Sequence, residues 1–283
     1  MKVQSTKAKK SPYRIQVLDR ALAILDVLGS QRNESSLAEL SATVELHKST
    51  THRLMIVLER HRLVAKNSET GRYRLGLKLF ELGSKAIASK DLLQHSLPHL
   101  HGLVEETGET VHLCILDEGE MLYVQKIEPQ RSVRMASSIG RRAPAHSTAV
   151  GKAILAELPD HEVDAMILQH ELKSSTPNTI TSAEKLKAEL RATRTRGYSI
   201  DDEENEEGVR CVGAAVRDHS SRPVAAISVS GPSFRITKEN VPQIAQPLVR
   251  AALALSQDLG SPLTRHKHSD GRRRAEDKRR VAR

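Results

Sequence analysis

Several groups of side chains in this 283-residue chain have the types and spacing to do chemistry. Lys48-Ser49-Thr50-Thr51, followed by Arg53, sets short hydroxyls beside a long forked cation. Such a set suits hydrogen bonds to base edges and phosphates. Arg72 and Arg74 lie two apart, which on a strand gives them one face and paired phosphate contacts. Gly151-Lys152 has the end of a phosphate-binding loop. However, His146 stands where the turn glycine belongs and Ala153 where the metal-binding hydroxyl belongs. Ser228-Val229-Ser230-Gly231 lacks the glycine that precedes the serine of a nucleophile elbow, and no His-Asp pair can be assigned to it. His95, His99 and His101, with His112 and Cys114 nearby, are potential zinc ligands by type. The two-residue step from His99 to His101 does not share a helical face, so surface histidines are the simpler reading. The acidic run Asp201 to Glu207 reads as a loop. No catalytic residue, metal site or cofactor is expected.

The polar cluster at 48–53 needs a helix that points it outward. From Arg14 to Leu28, Ile15, Leu18, Leu22, Leu25 and Leu28 recur at helical spacing and predict one buried face, ended by Gly29. Ser36 or Ser35 can cap a short second helix, with Glu39 three residues after Ser36 as in a capping box and Leu37, Leu40 and Val44 as its stripe. A break at Glu45-Leu46 precedes a third helix. Its back is predicted to be Leu54, Val57 and Leu58, and its first turns carry the polar cluster. Leu63-Val64-Ala65 and Tyr73-Arg74-Leu75 flank Asn67-Ser68-Glu69-Thr70-Gly71, the composition of a hairpin. Ser/Thr-rich helix starts are also ordinary caps, and exposed arginines are commonly just solvated. What is specific is the order: helix, short helix, polar-headed helix, basic hairpin.

Charge is divided unevenly. Lys and Arg number 17 against 8 Asp and Glu in residues 1–90, 18 against 24 in 91–260, and 9 against 3 in 261–283, giving +9, −6 and +6. A basic head on an acidic body faces a polyanion at one end only. Aromatic residues are 2% of the chain, with no Trp, so stacking platforms for single strands or RNA are nearly absent and duplex DNA is the better fit. No apolar run approaches the roughly 20 residues of a membrane span. Basic Met1–Lys10 runs into Ser-Pro-Tyr-Arg instead of an apolar stretch, so a cytoplasmic protein is expected. Cys114 and Cys211 are expected to be thiols.

Helical patterns over 92–106, 150–157, 162–169, 183–195 and 241–259 alternate with strand-like runs over 110–116, 121–127, 209–217 and 223–229, which predicts an α/β (α+β) body with one sheet. The expected organisation is a basic disordered N-terminus at 1–13, a winged helix-turn-helix at 14–76, a linker helix at 77–90, the body at 91–260, and a basic disordered tail at 261–283.

Three stretches together resemble the IclR family of bacterial transcription regulators over roughly residues 14–260. The first is Lys48-Ser49-Thr50-Thr51-His52-Arg53-Leu54 with Gly71-Arg72-Tyr73-Arg74-Leu75-Gly76. The second is Ile139-Gly140, then Pro144-Ala145-His146-Ser147 and Ala149 to Ala156. The third is Arg196 to Ser199, Asp201 to Glu204, Gly208 to Cys211, and Ala225 to Pro232. The resemblance implies a GAF-like body that binds a small organic acid, and a homodimer that pairs into a tetramer. It also implies a pocket lined by Met135, Ala143, Ala149, Val150, Asp201, Cys211, Ser228 and Ser230. Two hydroxyls two apart on a strand share a side, and amides opening a helix favour a carboxylate. The expected function is therefore operator binding controlled by such an acid. The rival reading is a small-molecule-binding module or degenerate enzyme whose basic head contacts protein.

Overall fold

The computed structural model describes residues 15–30, 34–88, 92–131 and 135–262. The basic N-terminus expected at 1–13 and all but the first two residues of the tail expected at 261–283 lie outside them. The chain divides between residues 89 and 90 into two compact units.

The first unit runs α1 (Gln16–Ser30), α2 (Leu37–Thr43), α3 (Lys48–Arg60), β1 (Val64–Lys66), β2 (Tyr73–Leu75) and α4 (Leu77–Ala88). Its core is Ile24, Leu28, Leu40, Met55, Leu58, Val64 and Tyr73. The capping box forms at α2: Ser36 Oγ accepts from the Glu39 amide (3.2 Å) and Glu39 Oε2 accepts from the Ser36 amide (2.7 Å). Glu45 takes a positive φ of 54° at the predicted break, and β1 pairs antiparallel with β2 as the hairpin.

Two predicted faces are corrected. On α1 the core receives Ile24 and Leu28, while Ile15, Leu18 and Leu22 remain 62%, 53% and 51% exposed. Ile24 and Leu28 share a face four apart, and the neighbouring apolar stripe lies beside it on the surface. On α3 the buried line is Thr51, Met55 and Leu58, and Val57 is exposed. Gly29 lies inside α1, which continues to Ser30.

The second unit is α5 (Leu92–Thr107), β3 (Thr110–Asp117), β4 (Glu120–Ile127), β5 (Arg142–Pro144), α6 (Ala149–Glu157), α7 (Asp160–Gln169), α8 (Ala183–Arg196), β6 (Ser199–Asp202), β7 (Val209–Arg217), β8 (Pro223–Pro232) and α9 (Val241–Asp258). The strands form one antiparallel sheet in the order β5-β4-β3-β8-β7-β6. The short strands β5 and β6 were absent from the sequence reading, since three or four residues are too few to show alternation.

Helix α6 is the element that builds the site. Every residue from Ala149 to Ala156 is buried, so the helix is apolar nearly all round and inserts between the sheet and α8. It approaches β7 at Gly213, where a Cβ would lie 2.6 Å from the Ala149 carbonyl group. Ser199 Oγ on β6 donates to the Ala149 carbonyl at 2.5 Å. The one charged residue among the buried positions of α6, Lys152, is fully buried with its ammonium against Glu204. Gly213→Ala should therefore push α6 off β7 and lower unfolding stability by about 1–3 kcal/mol, the usual cost of overpacking a rigid contact. Urea unfolding of the full chain checks this, and an unchanged midpoint would mean that the close approach carries no strain.

Candidate functional site: a basic head face and a sheet pocket

On the head, His47 caps α3 with extended backbone and its carbonyl accepts from the amides of Thr50 (2.9 Å) and Thr51 (3.0 Å). Lys48, Ser49 and Arg53 project into solvent and Thr50 is half-buried. His47 Nδ1 and Ser49 Oγ are 3.0 Å apart. Thr51 corrects the sequence reading. It is fully buried, and its hydroxyl donates to the His47 carbonyl, so it packs in the head's core and offers nothing to a polyanion.

The two wing arginines also differ. Arg72 precedes β2 and turns back on the head: its guanidinium donates to the Glu34 carbonyl (3.0 Å) and pairs with Glu39 (2.8 Å). The capping bond from the Ser36 amide, and after it that pairing, hold the Glu39 carboxyl below its usual range. Arg74, on β2 itself, is exposed and has no ion pair among the described residues. Glu34 also accepts from Asn67 (3.1 Å) and Thr70 (3.2 Å), so the hairpin is tied to the helix bundle.

In the second unit a cavity of about 30 Å³ opens where the amino end of α6 meets the sheet. Met135, Ala143, Ala149, Val150, Asp201, Cys211, Ser228 and Ser230 all line it, so one cavity brings together every residue that the resemblance implied. His112, Tyr123, Ser137, Arg141, Thr148, Asn205, Glu206 and Val209 complete the wall. The sequence reading missed these as lining residues. By type the sequence marks His112 only as a potential metal ligand, and Arg141 follows Ile139-Gly140 with no signal of its own.

Thr148 caps α6, its Oγ accepting from the Gly151 amide at 3.2 Å. The Lys152 amide bonds to the Thr148 carbonyl at 3.0 Å. The amides of Ala149 and Val150 have no acceptor among the described residues. Facing them across the cavity, Ser228 and Ser230 on β8 are 3.3 Å apart and lie 3.5 and 3.3 Å from His112 Nδ1 on β3. The other ring nitrogen of His112 is 2.7 Å from Ser137 Oγ. Burial, aided by the nearby Lys126 ammonium, lowers the His112 pKa to about 3, so the imidazole is neutral. Lys126 Nζ donates to the carbonyls of Met135 (2.8 Å) and Ser137 (2.6 Å), which fixes that wall. Burial likewise pushes up the thiols of Cys114 and Cys211, both free. Elsewhere, His99 pairs with Asp258 at 2.6 Å and lies apart from this cavity.

Asp201 is 3% exposed, and its Oδ1 accepts from the amides of Glu204 (2.8 Å) and Asn205 (3.3 Å). Burial raises its carboxyl from 3.8 to about 7, against the opposing pull of the Lys152 ammonium.

Comparisons with known proteins cover both units. A family model described as the IclR helix-turn-helix domain matches residues 17–68, and one described as the bacterial transcriptional regulator IclR C-terminal domain matches residues 84–257. The chain is 41% identical over 248 residues to the HTH-type transcriptional regulator XynR of Escherichia coli, covering 88% of this chain and 98% of that one. The chain belongs to the IclR family. It is a DNA-binding transcriptional regulator, with a helix-turn-helix head and a curled antiparallel-sheet effector domain. The crystal structure of Thermotoga maritima IclR superposes with a TM-score of 0.75 at 36% identity, covering 87% of this chain and all of that one. An IclR homologue from Microbacterium hydrocarbonoxydans, solved in complex with 4-hydroxybenzoate, shares the fold at a TM-score of 0.75 and 24% identity, covering 86% of this chain and 99% of that one.

The raised Asp201 pKa makes this regulator's stability depend on pH. A carboxyl titrating higher in the folded than in the unfolded chain favours folding fully below its unfolded value, near 3.8, and that contribution is lost as pH rises through about 7. Urea midpoints should therefore fall more between pH 5 and pH 8 for the natural chain than for Asp201→Asn. Parallel pH profiles for the two would show that Asp201 titrates normally.

Proposed function

We propose that the cavity at the amino end of α6 receives the acidic group of a small organic effector, and that its occupancy controls how tightly the head holds operator DNA. The observation that carries this reading is the pair of amides, Ala149 and Val150, left without acceptors at the start of a fully buried helix. Aligned peptide dipoles and free N–H groups make such an end a site for a carboxylate. Ser228, Ser230 and the neutral His112 supply further hydrogen bonds, and Met135, Ala143 and Cys211 shape the apolar side. A cavity of about 30 Å³ holds little more than a water molecule or two, so an effector of several heavy atoms enters by moving the side chains that line it.

On the head, Lys48, Ser49, Thr50 and Arg53 face the major groove in this reading and Arg74 holds phosphate. Arg72 first has to release Glu39 if it is to contact DNA. We read the protein as cytoplasmic and non-catalytic. Among the described residues no helix is long and apolar enough to cross a membrane. Ser137 beside His112 has the look of a nucleophile and its base. Yet His112 is held neutral to about pH 3, and its second nitrogen faces two serines where a hydrolase would place a carboxylate. Exposed Val17, Leu18 and Leu22 on α1, with Leu77 and Phe80 on α4, support self-association of the heads as a homodimer, on which a tetramer is built.

Fluorescence anisotropy with the DNA upstream of the protein's own gene tests the output. Affinity should fall steeply with salt and exceed that for random duplex. Arg53→Ala should cost about 1–3 kcal/mol on the specific site only, whereas Arg74→Ala should weaken all duplexes alike. Equal effects of Arg53→Ala on specific and random DNA would refute base reading. Ser228→Ala should blunt the change in operator affinity that small carboxylates produce while leaving operator binding itself in place. An undiminished response would move the effector site elsewhere.

A further inference from the structure

The pocket has two positive poles. One is the amino end of α6, seated over β6 and β7 by the Ser199 bond to the Ala149 carbonyl and the contact with Gly213. The other is Arg141, on the opposite half of the sheet. Its carbonyl accepts from the Tyr123 amide on β4 (3.0 Å), and Arg142 after it begins β5. In the strand order, β3 with His112 and β8 with the two serines lie between these poles. Three strand intervals of about 4.8 Å separate β4 from β7 along the sheet, and its curl shortens the direct path. Both poles line the same cavity, and the strand that carries the Ser228 and Ser230 hydroxyls lies between them in the sheet.

Among the described residues Arg141 is the only Lys or Arg that lines this cavity, and two carboxyls, Asp201 and Glu206, line it as well. It is also unlike its neighbours. Arg142 pairs with Asp117 and Glu120, and Arg131 pairs with Glu109. Arg141 has no carboxylate partner among the described residues, and the one hydrogen bond of its guanidinium there, to the Ala136 carbonyl, is 3.5 Å long. A guanidinium at a pocket wall with its fork uncommitted is suited to a planar anion.

We propose that the pocket is built for an effector with an acidic group at each end, such as a small α,ω-dicarboxylate, with one group on the amides of Ala149 and Val150 and the other on Arg141. The proposal rests on reading this cavity as the effector site. It makes Arg141 the residue that separates doubly from singly charged acids.

Calorimetric titration of the full chain with matched probes tests it: succinate against butyrate, glutarate against pentanoate, adipate against hexanoate. At least one dicarboxylate should bind roughly tenfold or more tightly than its monocarboxylate, as a second charge-assisted pair provides. Arg141→Gln should bring that ratio close to one, and Arg141→Lys should keep part of it. Monocarboxylates that bind as well as their partners overturn the proposal, as does a preference that survives Arg141→Gln. Failure of the pocket reading looks different: no acid of either kind binds, or Ser228→Ala leaves every acid's affinity unchanged. Either result overturns the proposal along with that reading.

Discussion

The seating of α6 against the sheet is the constraint on which the effector domain depends. A nine-residue helix with every residue from Ala149 to Ala156 buried cannot be held by an amphipathic stripe, and backbone contact takes that part. Gly213 removes the Cβ that would strike the Ala149 carbonyl group, and Gly151 removes one that would lie 2.1 Å from the Ala145 carbonyl. Ser199 then fastens the start of the helix to β6. With so little room for adjustment, the amides of Ala149 and Val150 end up at a fixed place on the cavity wall. That rigidity is what allows a helix end to act as a preformed site for an anion.

The same helix carries a buried charge, and this ties the pocket to the loop after β6. Lys152 would be costly to bury alone, and Glu204 neutralises it. Glu204 is held by its own backbone: its carbonyl accepts from Thr179 (2.6 Å) and its amide donates to Asp201 (2.8 Å). Asp201 faces the cavity, so a change of charge there is felt by Lys152, by the loop and by the first turns of α6 together. Bonds from Arg210 on β7 to Asp202 and Glu203 hold the other side of this loop.

Much of this was legible in the sequence, for identifiable reasons. The capping box at Ser36 and Glu39, the break at Glu45 and the hairpin turn at Asn67 to Gly71 are local signals, and each formed where it was read. Burial on α1 and α3 was less legible. Apolar residues lie on more than one face of both helices, and only the packing of the head selects Ile24 over Leu22 and Met55 over Val57. Thr51 was misread for the same reason: a hydroxyl in a polar cluster looks exposed until the helix phase is known. In the pocket, the eight residues implied by family resemblance converge, but nothing local in the sequence marks His112 or Arg141 as lining it. Their roles come from strands far apart in sequence that the sheet order brings together.

The cations of the head are partly committed within the head, whereas the amides at the start of α6 in the effector domain have no acceptor among the described residues. The central claim is that an acidic effector is held by the amides of Ala149 and Val150. Amide NMR of the full chain, labelled with ¹⁵N only at alanine and valine, measures this directly as a small carboxylate is added. Saturable shifts at Ala149 and Val150 that follow the same binding curve are expected. Saturable binding with those two amides unmoved would contradict it.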